Sequence, residues 1–272
     1  MPELPEVETT CRGIAPFIVG QKISAINVHE TRLRWEVPTQ LLKKKLVQQP
    51  IIGVTRRAKY IQIHVSTGIL LIHLGMSGTL RITSPKEPLK KHDHLELGIA
   101  QSLVLRFNDP RRFGAVLFCE PEQTLLPLKH LGIEPLDKAF TGEYLFQKAH
   151  KHRKAIKTFI MDQHIVVGVG NIYANEALFL ANVHPTKPAN KLSLNQCNLL
   201  VSAIKKILKA AIKQGGTTLK DYHQSNGKPG YFSQKLAIYD REGLGCLKCG
   251  HLIKALRIAQ RATYFCPYCQ PL

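Results

Sequence analysis

Four cysteines near the end of the chain have the spacing of a metal site. Cys246-x-x-Cys249 and Cys266-x-x-Cys269 are separated by sixteen residues. Each pair can hold an ion from a tight turn, and two such turns at the ends of a β-hairpin complete a tetrahedron of thiolates. One zinc ion fits that set best; iron is the alternative metal, and two disulfides the metal-free alternative. Four sulfur ligands leave no open coordination position, so the ion is expected to be structural. Lys248 within the first pair and Lys254, Arg257 and Arg261 between the pairs give the hairpin more positive charge than folding needs, which suits contact with phosphate. Gly168-Val169-Gly170-Asn171 is a second candidate anion site, because glycines lead there into a helix start with free N–H groups. A plain glycine turn between helices has the same pattern. Cys11, Cys119 and Cys197 are scattered and read as inert buried thiols.

The charge balance agrees with an anionic partner. Over 272 residues, 38 Lys+Arg against 19 Asp+Glu leave a net charge of +19, which repels itself unless an acidic partner such as nucleic acid offsets it. A hydrophobic fraction of 44% is ample for a buried core and argues against global disorder. The opening Met1-Pro2-Glu3-Leu4-Pro5-Glu6 is acidic and proline-broken, unlike a secretory leader, and no apolar run approaches the roughly 20 residues that span a bilayer. A cytoplasmic location, with reduced thiols and no membrane partner, is the expectation.

The elements that must position these groups change in texture along the chain. Lys59 to Val65 alternates with period two, and 69–74, 80–83, 94–99, 103–107 and 115–118 are strand-sized apolar pieces, so an antiparallel sandwich or barrel is expected there. A short helix precedes it after Glu6. Pro121, Pro127 and Pro135 punctuate a connector. Helices are expected over 141–150, 153–162, 171–180 and 193–214, the last carrying Leu200, Ile204, Ile207, Leu208 and Ala211 on one face and ended by Gly215-Gly216.

Several motifs in order resemble those of the formamidopyrimidine-DNA glycosylase family. They are Pro2-Glu3-Leu4-Pro5-Glu6-Val7-Glu8-Thr9, Arg56-Arg57-Ala58-Lys59-Tyr60, His73-Leu74-Gly75-Met76-Ser77-Gly78, Asn108-Asp109-Pro110-Arg111-Arg112-Phe113-Gly114, Gly168-Val169-Gly170-Asn171-Ile172-Tyr173 and Gly215-Gly216-Thr217-Thr218-Leu219-Lys220-Asp221, followed by the cysteine module. The resemblance implies an α+β, multidomain fold. Its parts would be a catalytic antiparallel β-sandwich with flanking helices over 1–134, a linker and first helix of the second domain over 135–150, a helix–two-turn–helix DNA-binding domain with a lesion-recognition loop over 151–235, and a zinc hairpin over 236–272.

The same resemblance implies a bifunctional glycosylase and abasic-site lyase acting on duplex DNA with oxidised bases or abasic sites, as a monomer with no obligatory protein partner. Pro2, freed of Met1, would be the nucleophile. An α-amine titrates near 8, so a usable fraction is unprotonated at neutral pH. Attack on the sugar C1′ by a secondary amine yields an iminium that is cationic without further protonation and so serves as an electron sink for elimination. Glu3 would move the protons, with Glu6 supporting it and Lys59 contacting phosphate. The plain readings are a helix-start proline for Pro2, a first-turn carboxylate for Glu6 and a solvated strand lysine for Lys59.

A flipped-out nucleotide leaves a gap to fill and a partner base to satisfy. By resemblance, Met76 and Phe113 fill the gap and Arg111 donates to the estranged cytosine, although both apolar residues read equally well as core. Asn171 and Arg261 would grip the flanking phosphates, and His73 and Tyr239 match further DNA contacts. The backbone of Thr217, Leu219, Lys220, Asp221 and Tyr222 would read the lesion: a carbonyl at Thr217 can distinguish 8-oxoguanine, which carries a hydrogen on N7, from guanine. Ser77 stands where some members carry glutamate. The rivals are an endonuclease VIII-type relative preferring oxidised pyrimidines, a zinc-hairpin DNA-binding protein without catalysis, and an RNA-binding protein. Leu4 and the Arg111–Phe113 motif favour the purine branch, and Pro2-Glu3 argues against the other two.

Overall fold

A computed structural model describes residues 2–100, 102–121, 126–216 and 236–272. Residues 1–129 and 214–233 cluster into one compact unit, and residues 130–213 and 234–272 into another.

The first unit opens with α1 (Leu4–Ile18). Its apolar stripe Leu4, Val7, Cys11, Ile14, Ile18 follows helical spacing and is buried throughout. The helix is longer than the sequence suggests, running through Gly13 and Pro16, because this stripe continues past both. It packs on two four-stranded antiparallel sheets. One has the order β1 (Ile23–Val28), β6 (Asp93–Ile99), β7 (Leu103–Asn108), β5 (Thr79–Thr83); the other has β2 (Ile51–Arg57), β3 (Tyr60–Val65), β4 (Gly68–His73), β8 (Ala115–Cys119). Alternate residues of the strands meet in one core: Ile61, Ile63 and Val65 from β3, Leu70 and Ile72 from β4, Leu95, Leu97 and Ile99 from β6, Leu105 and Phe107 from β7. This is the expected sandwich. Leu42 and Leu46, one turn apart on α2 (Thr39–Leu46), join that core, while α3 (Leu126–Lys129) is a single turn inside the expected connector.

The second unit is helical: α4 (Gly142–Ala149), α5 (Ile156–Ile160), α6 (Asn171–Leu180) and α7 (Leu194–Lys213), with a 3-10 turn at Ala189–Lys191. Two helix starts carry their own signals. The Thr141 hydroxyl accepts from Tyr144 N at 3.1 Å, and Ser193 and Gln196 form a reciprocal capping box. The helix expected over 153–162 is confined to α5, because Lys154 and His152 instead accept backbone bonds from Ala189 and Asn190. Turns over 161–170 join α5 to α6, completing the helix–two-turn–helix element. The unit ends in an antiparallel hairpin, β9 (Lys254–Ile258) and β10 (Arg261–Phe265). Among the described residues no helix is long and apolar enough to cross a membrane.

Candidate functional site

Pro2 is buried at the start of α1, and Glu3 is the helix N-cap with only 3% of its surface exposed. Glu3 and Glu6 form a capping box: the Glu3 backbone N–H donates to Glu6 Oε2 at 2.8 Å, and the Glu3 carboxylate accepts from the Glu6 N–H. The first two candidate side chains are thus held by the first turn itself. Gly216 closes in from the far end of the chain. Its φ is +83°, and a Cβ there would sit 3.0 Å from Glu6 Oε1, so a side chain would press on the carboxylate.

Lys59 is 5% exposed, in the two-residue turn between β2 and β3, and so is not a solvated strand lysine. The adjacent cross-strand pair Tyr60 and His73 places its rings 4.8 Å apart at a tilt of 54°. His73 Nδ1 accepts from Gly75 N at 3.0 Å, which leaves Nε2 as the donor of a neutral ring. Burial first, then the nearby Lys59 and Arg34 charges, push the His73 pKa down to about 4. The unfolded ring titrates near 6.5, so the contribution to stability is complete above that pH, and up to about 3 kcal/mol of it is lost as pH falls towards 4. Denaturant titrations at about pH 7 and about pH 4.5 should show His73→Gln losing less stability on acidification than the parent; equal losses would contradict a buried neutral ring.

Met76, Arg111 and Phe113 settle the choice between core and surface. Met76 is 36% exposed and Phe113 47%, and the exposed Arg111 guanidinium lies 5.1 Å from the Phe113 ring centre. The two loops that carry them are locked by Asp109, which is wholly buried. Its Oδ1 accepts from Ser77 Oγ at 2.9 Å and its Oδ2 from Gly114 N at 2.7 Å, while its carbonyl meets the His94 ring at 2.8 Å. Gly75 (φ +63°) lies so close that a Cβ would fall 2.4 Å from Gly114 N. Asp109 and His94 were missed as structural hubs. The only sequence signal was a short polar residue heading a turn.

In the second unit, Asn171 opens α6 and its side-chain amide donates to Ala262 O at 3.1 Å, beside the exposed Arg261 at the hairpin tip. Lys157, 1% exposed, donates to Ala262 O and Thr263 Oγ1 at 2.8 and 2.7 Å, and Asn175 Oδ1 accepts from Tyr264 N at 2.8 Å. Asn171 and Arg261, distant in sequence, are therefore brought together. Tyr239 packs on Tyr264 at 5.3 Å, and the Glu176 carboxylate accepts the N–H groups of Ala237, Ile238 and Tyr239. Burial nevertheless pushes the Glu176 pKa up. The hairpin turn places Ala259 and Gln260 at φ +46° and +62°, without the asparagine or glycine that would have announced it.

The four cysteine sulfurs lie within 4.8 Å of one another, with pairs at 3.4, 3.5 and 3.9 Å. A tetrahedral ion with bonds of about 2.3 Å sets its sulfurs about 3.8 Å apart, so the set fits one zinc ion and not two disulfides. Lys248, counted above with the phosphate-facing cations, instead donates to Phe179 O and Asn182 Oδ1 at the C-terminal end of α6. Thr217, Leu219, Lys220, Asp221 and Tyr222 lie outside the described residues.

Comparison with known proteins covers nearly the whole chain. Residues 1–116 match the formamidopyrimidine-DNA glycosylase N-terminal domain, 131–223 the H2TH domain of the same glycosylase, and 243–272 a zinc finger found in FPG and IleRS. A protein of Shewanella halifaxensis called formamidopyrimidine-DNA glycosylase is 51% identical over 273 residues, with both chains covered in full. One of the same name from Edwardsiella ictaluri is 51% identical over 270 residues, covering 99% of this chain and all of that one. Among solved structures, Lactococcus lactis FPG with DNA containing Fapy-dG superposes at a TM-score of 0.92 with 37% identity and full coverage of both chains. A MutM complex with DNA containing carbocyclic 8-oxo-G superposes at 0.91, again with 37% identity and full coverage of both.

Proposed function

The chain belongs to the formamidopyrimidine-DNA glycosylase family, and from that premise we propose that it removes 8-oxoguanine opposite cytosine, and formamidopyrimidines, from duplex DNA and then nicks the strand by β,δ-elimination. As a member of the family it is a DNA-repair glycosylase with a structural zinc. The observation that carries the finer reading is the exposure of Met76, Arg111 and Phe113 on loops locked by buried Asp109, in the same unit as Pro2 and Glu3. Large apolar side chains held out into solvent on rigid loops suit insertion into a base stack better than any role in the core. The Arg111 guanidinium suits the acceptors on the Watson–Crick edge of an unpaired cytosine. Relatives of the same architecture have been crystallised with Fapy-dG and 8-oxo-G DNA, which supports the oxidised-purine branch.

In the proposed mechanism the Pro2 nitrogen, freed by removal of Met1, attacks C1′ and the base departs with the C1′–N9 electron pair. The ring-opened sugar is left as an iminium on Pro2. Loss of the C2′ proton then expels the 3′ phosphate, and a second elimination expels the 5′ phosphate. Glu3, beside the amine, accepts and returns the protons. Lys59, the Nε2–H of His73, Asn171 and Arg261 hold phosphates, Tyr239 adds a further contact, and Glu6 keeps Glu3 in place. Reading of the lesion is assigned to the backbone of Thr217 and of Leu219 to Tyr222.

Borohydride added to protein incubated with a duplex carrying 8-oxoguanine opposite cytosine is expected to trap a covalent adduct that mass spectrometry maps to Pro2. Tight binding with neither adduct nor cleavage, from protein shown to lack Met1, would overturn the reading.

A further inference from the structure

The loop bearing Arg111 and Phe113 has a support that its own motif does not contain. Arg112, between the two, stands at φ +57°, a left-handed conformation that non-glycine residues rarely hold without outside help. Its N–H donates to Asp109 O at 3.2 Å, and its guanidinium reaches back to Glu30 Oε2 at 2.8 Å. Glu30 is itself tightly placed, with its side chain only 15% exposed. Its Oε1 accepts from the Arg32 N–H at 2.9 Å, and the preceding His29 N–H donates to His94 O at 2.9 Å. His94 is the residue whose ring meets Asp109 O. Four residues on, Arg34 N–H donates to Gly114 O at 3.0 Å. The segment after β1 thus grips the Arg111–Phe113 loop at Arg112 and at Gly114, on both sides of Phe113.

We propose that Glu30 is a positioning residue for lesion extrusion: by drawing the Arg112 side chain back, it fixes the pose in which Arg111 and Phe113 face outward together. The proposal rests on the family reading above. Glu30 touches no reacting atom and acts through Arg112. Without it Arg112 loses the partner that offsets its strained backbone, and the loop gains poses in which Arg111 and Phe113 no longer project as a pair. Misplacement of this kind slows the step that needs the wedge and spares the step that does not.

An abasic site supplies that contrast, because it has no base to extrude. With Glu30→Arg, which repels Arg112, single-turnover excision of 8-oxoguanine opposite cytosine is expected to fall about 10- to 100-fold. Nicking of a preformed abasic site should stay within about two-fold, far below the cost of a misplaced wedge. Glu30→Gln, which keeps the shape and removes the charge, should fall between. The double variant Glu30→Arg with Arg112→Glu should recover most of the lost excision, and melting curves should match the parent. A 2-aminopurine beside the cytosine opposite carbocyclic 8-oxoguanine, which keeps a base to extrude but resists excision, reads wedge entry, and its fluorescence phase should slow in Glu30→Arg and recover in the double variant. Parental excision in Glu30→Arg, equal loss on both substrates, or no recovery in the double variant each overturns the proposal. Parent protein that leaves 8-oxoguanine in place yet shows the fluorescence phase overturns the substrate reading while the wedge test stands; absence of the phase in the parent overturns both.

Discussion

Changing Glu3 to glutamine is expected to lower base excision by about 10²- to 10⁴-fold, the range a positioned general acid or base contributes, while duplex affinity and fold persist. The capping box makes this substitution informative. Glutamine still accepts the Glu6 N–H through its amide oxygen, and the Glu3 backbone N–H keeps its bond to Glu6 Oε2, so α1 retains its first turn. The stability cost should stay near the ~1 kcal/mol of an altered cap. What glutamine cannot do is take up and return a proton. Single-turnover excision, a binding titration and a melting curve on the same sample separate the two roles. Loss of excision alone identifies the proton carrier, whereas parallel loss of melting temperature and activity means that Glu3 is only a cap.

Removal of zinc should have the next largest effect. The small core around the metal site consists of Phe179, Ile238, Ile253 and the cysteines themselves, with Tyr264 packed against it. Few apolar groups remain to hold the hairpin once the ion is gone. Apparent zinc binding in small thiolate modules amounts to about 10–16 kcal/mol at neutral pH, much of it folding free energy. Cys266→Ser, or chelation, is therefore expected to unfold β9 and β10, displace Arg261 and the Ala262 carbonyl that Asn171 and Lys157 grasp, and weaken duplex binding by at least about 100-fold, the scale of a few lost phosphate contacts. Zinc content measured beside a DNA titration checks this. Undiminished affinity in zinc-free protein would remove the hairpin from the DNA-binding surface.

Where neighbours in sequence decide the structure, the chain was readable. The strands of the sandwich follow from alternation, as in Ile61, Ile63 and Val65, and the metal site from two short cysteine spacings. The long stripe of α1 was underread because Gly13 and Pro16 look like stops, although Ile14 and Ile18 continue the buried face. Partnerships across long stretches of chain were not legible. Nothing local marks Asp109 as the acceptor of Ser77 and Gly114, or Lys157 as a buried cation for a hairpin more than a hundred residues away. Lys248 shows the converse: it looked like one of several surface cations and is committed to the end of α6. For Met76 and Phe113 the pattern allowed core or surface, and only their exposure decides between those.

The contact between Gly75 and Gly114, too close to admit a side chain, leaves no gap between the two loops beside it. Met76 and the Arg111–Phe113 pair thus rise from one shared support. The ordering of the loop backbones is thereby met once, when the chain folds, and not at each encounter with a base pair. On the proposed function, a wedge carried on such loops would meet the duplex ready-made, and yielding of the helix, not assembly of the wedge, would distinguish a weakened pair from a sound one.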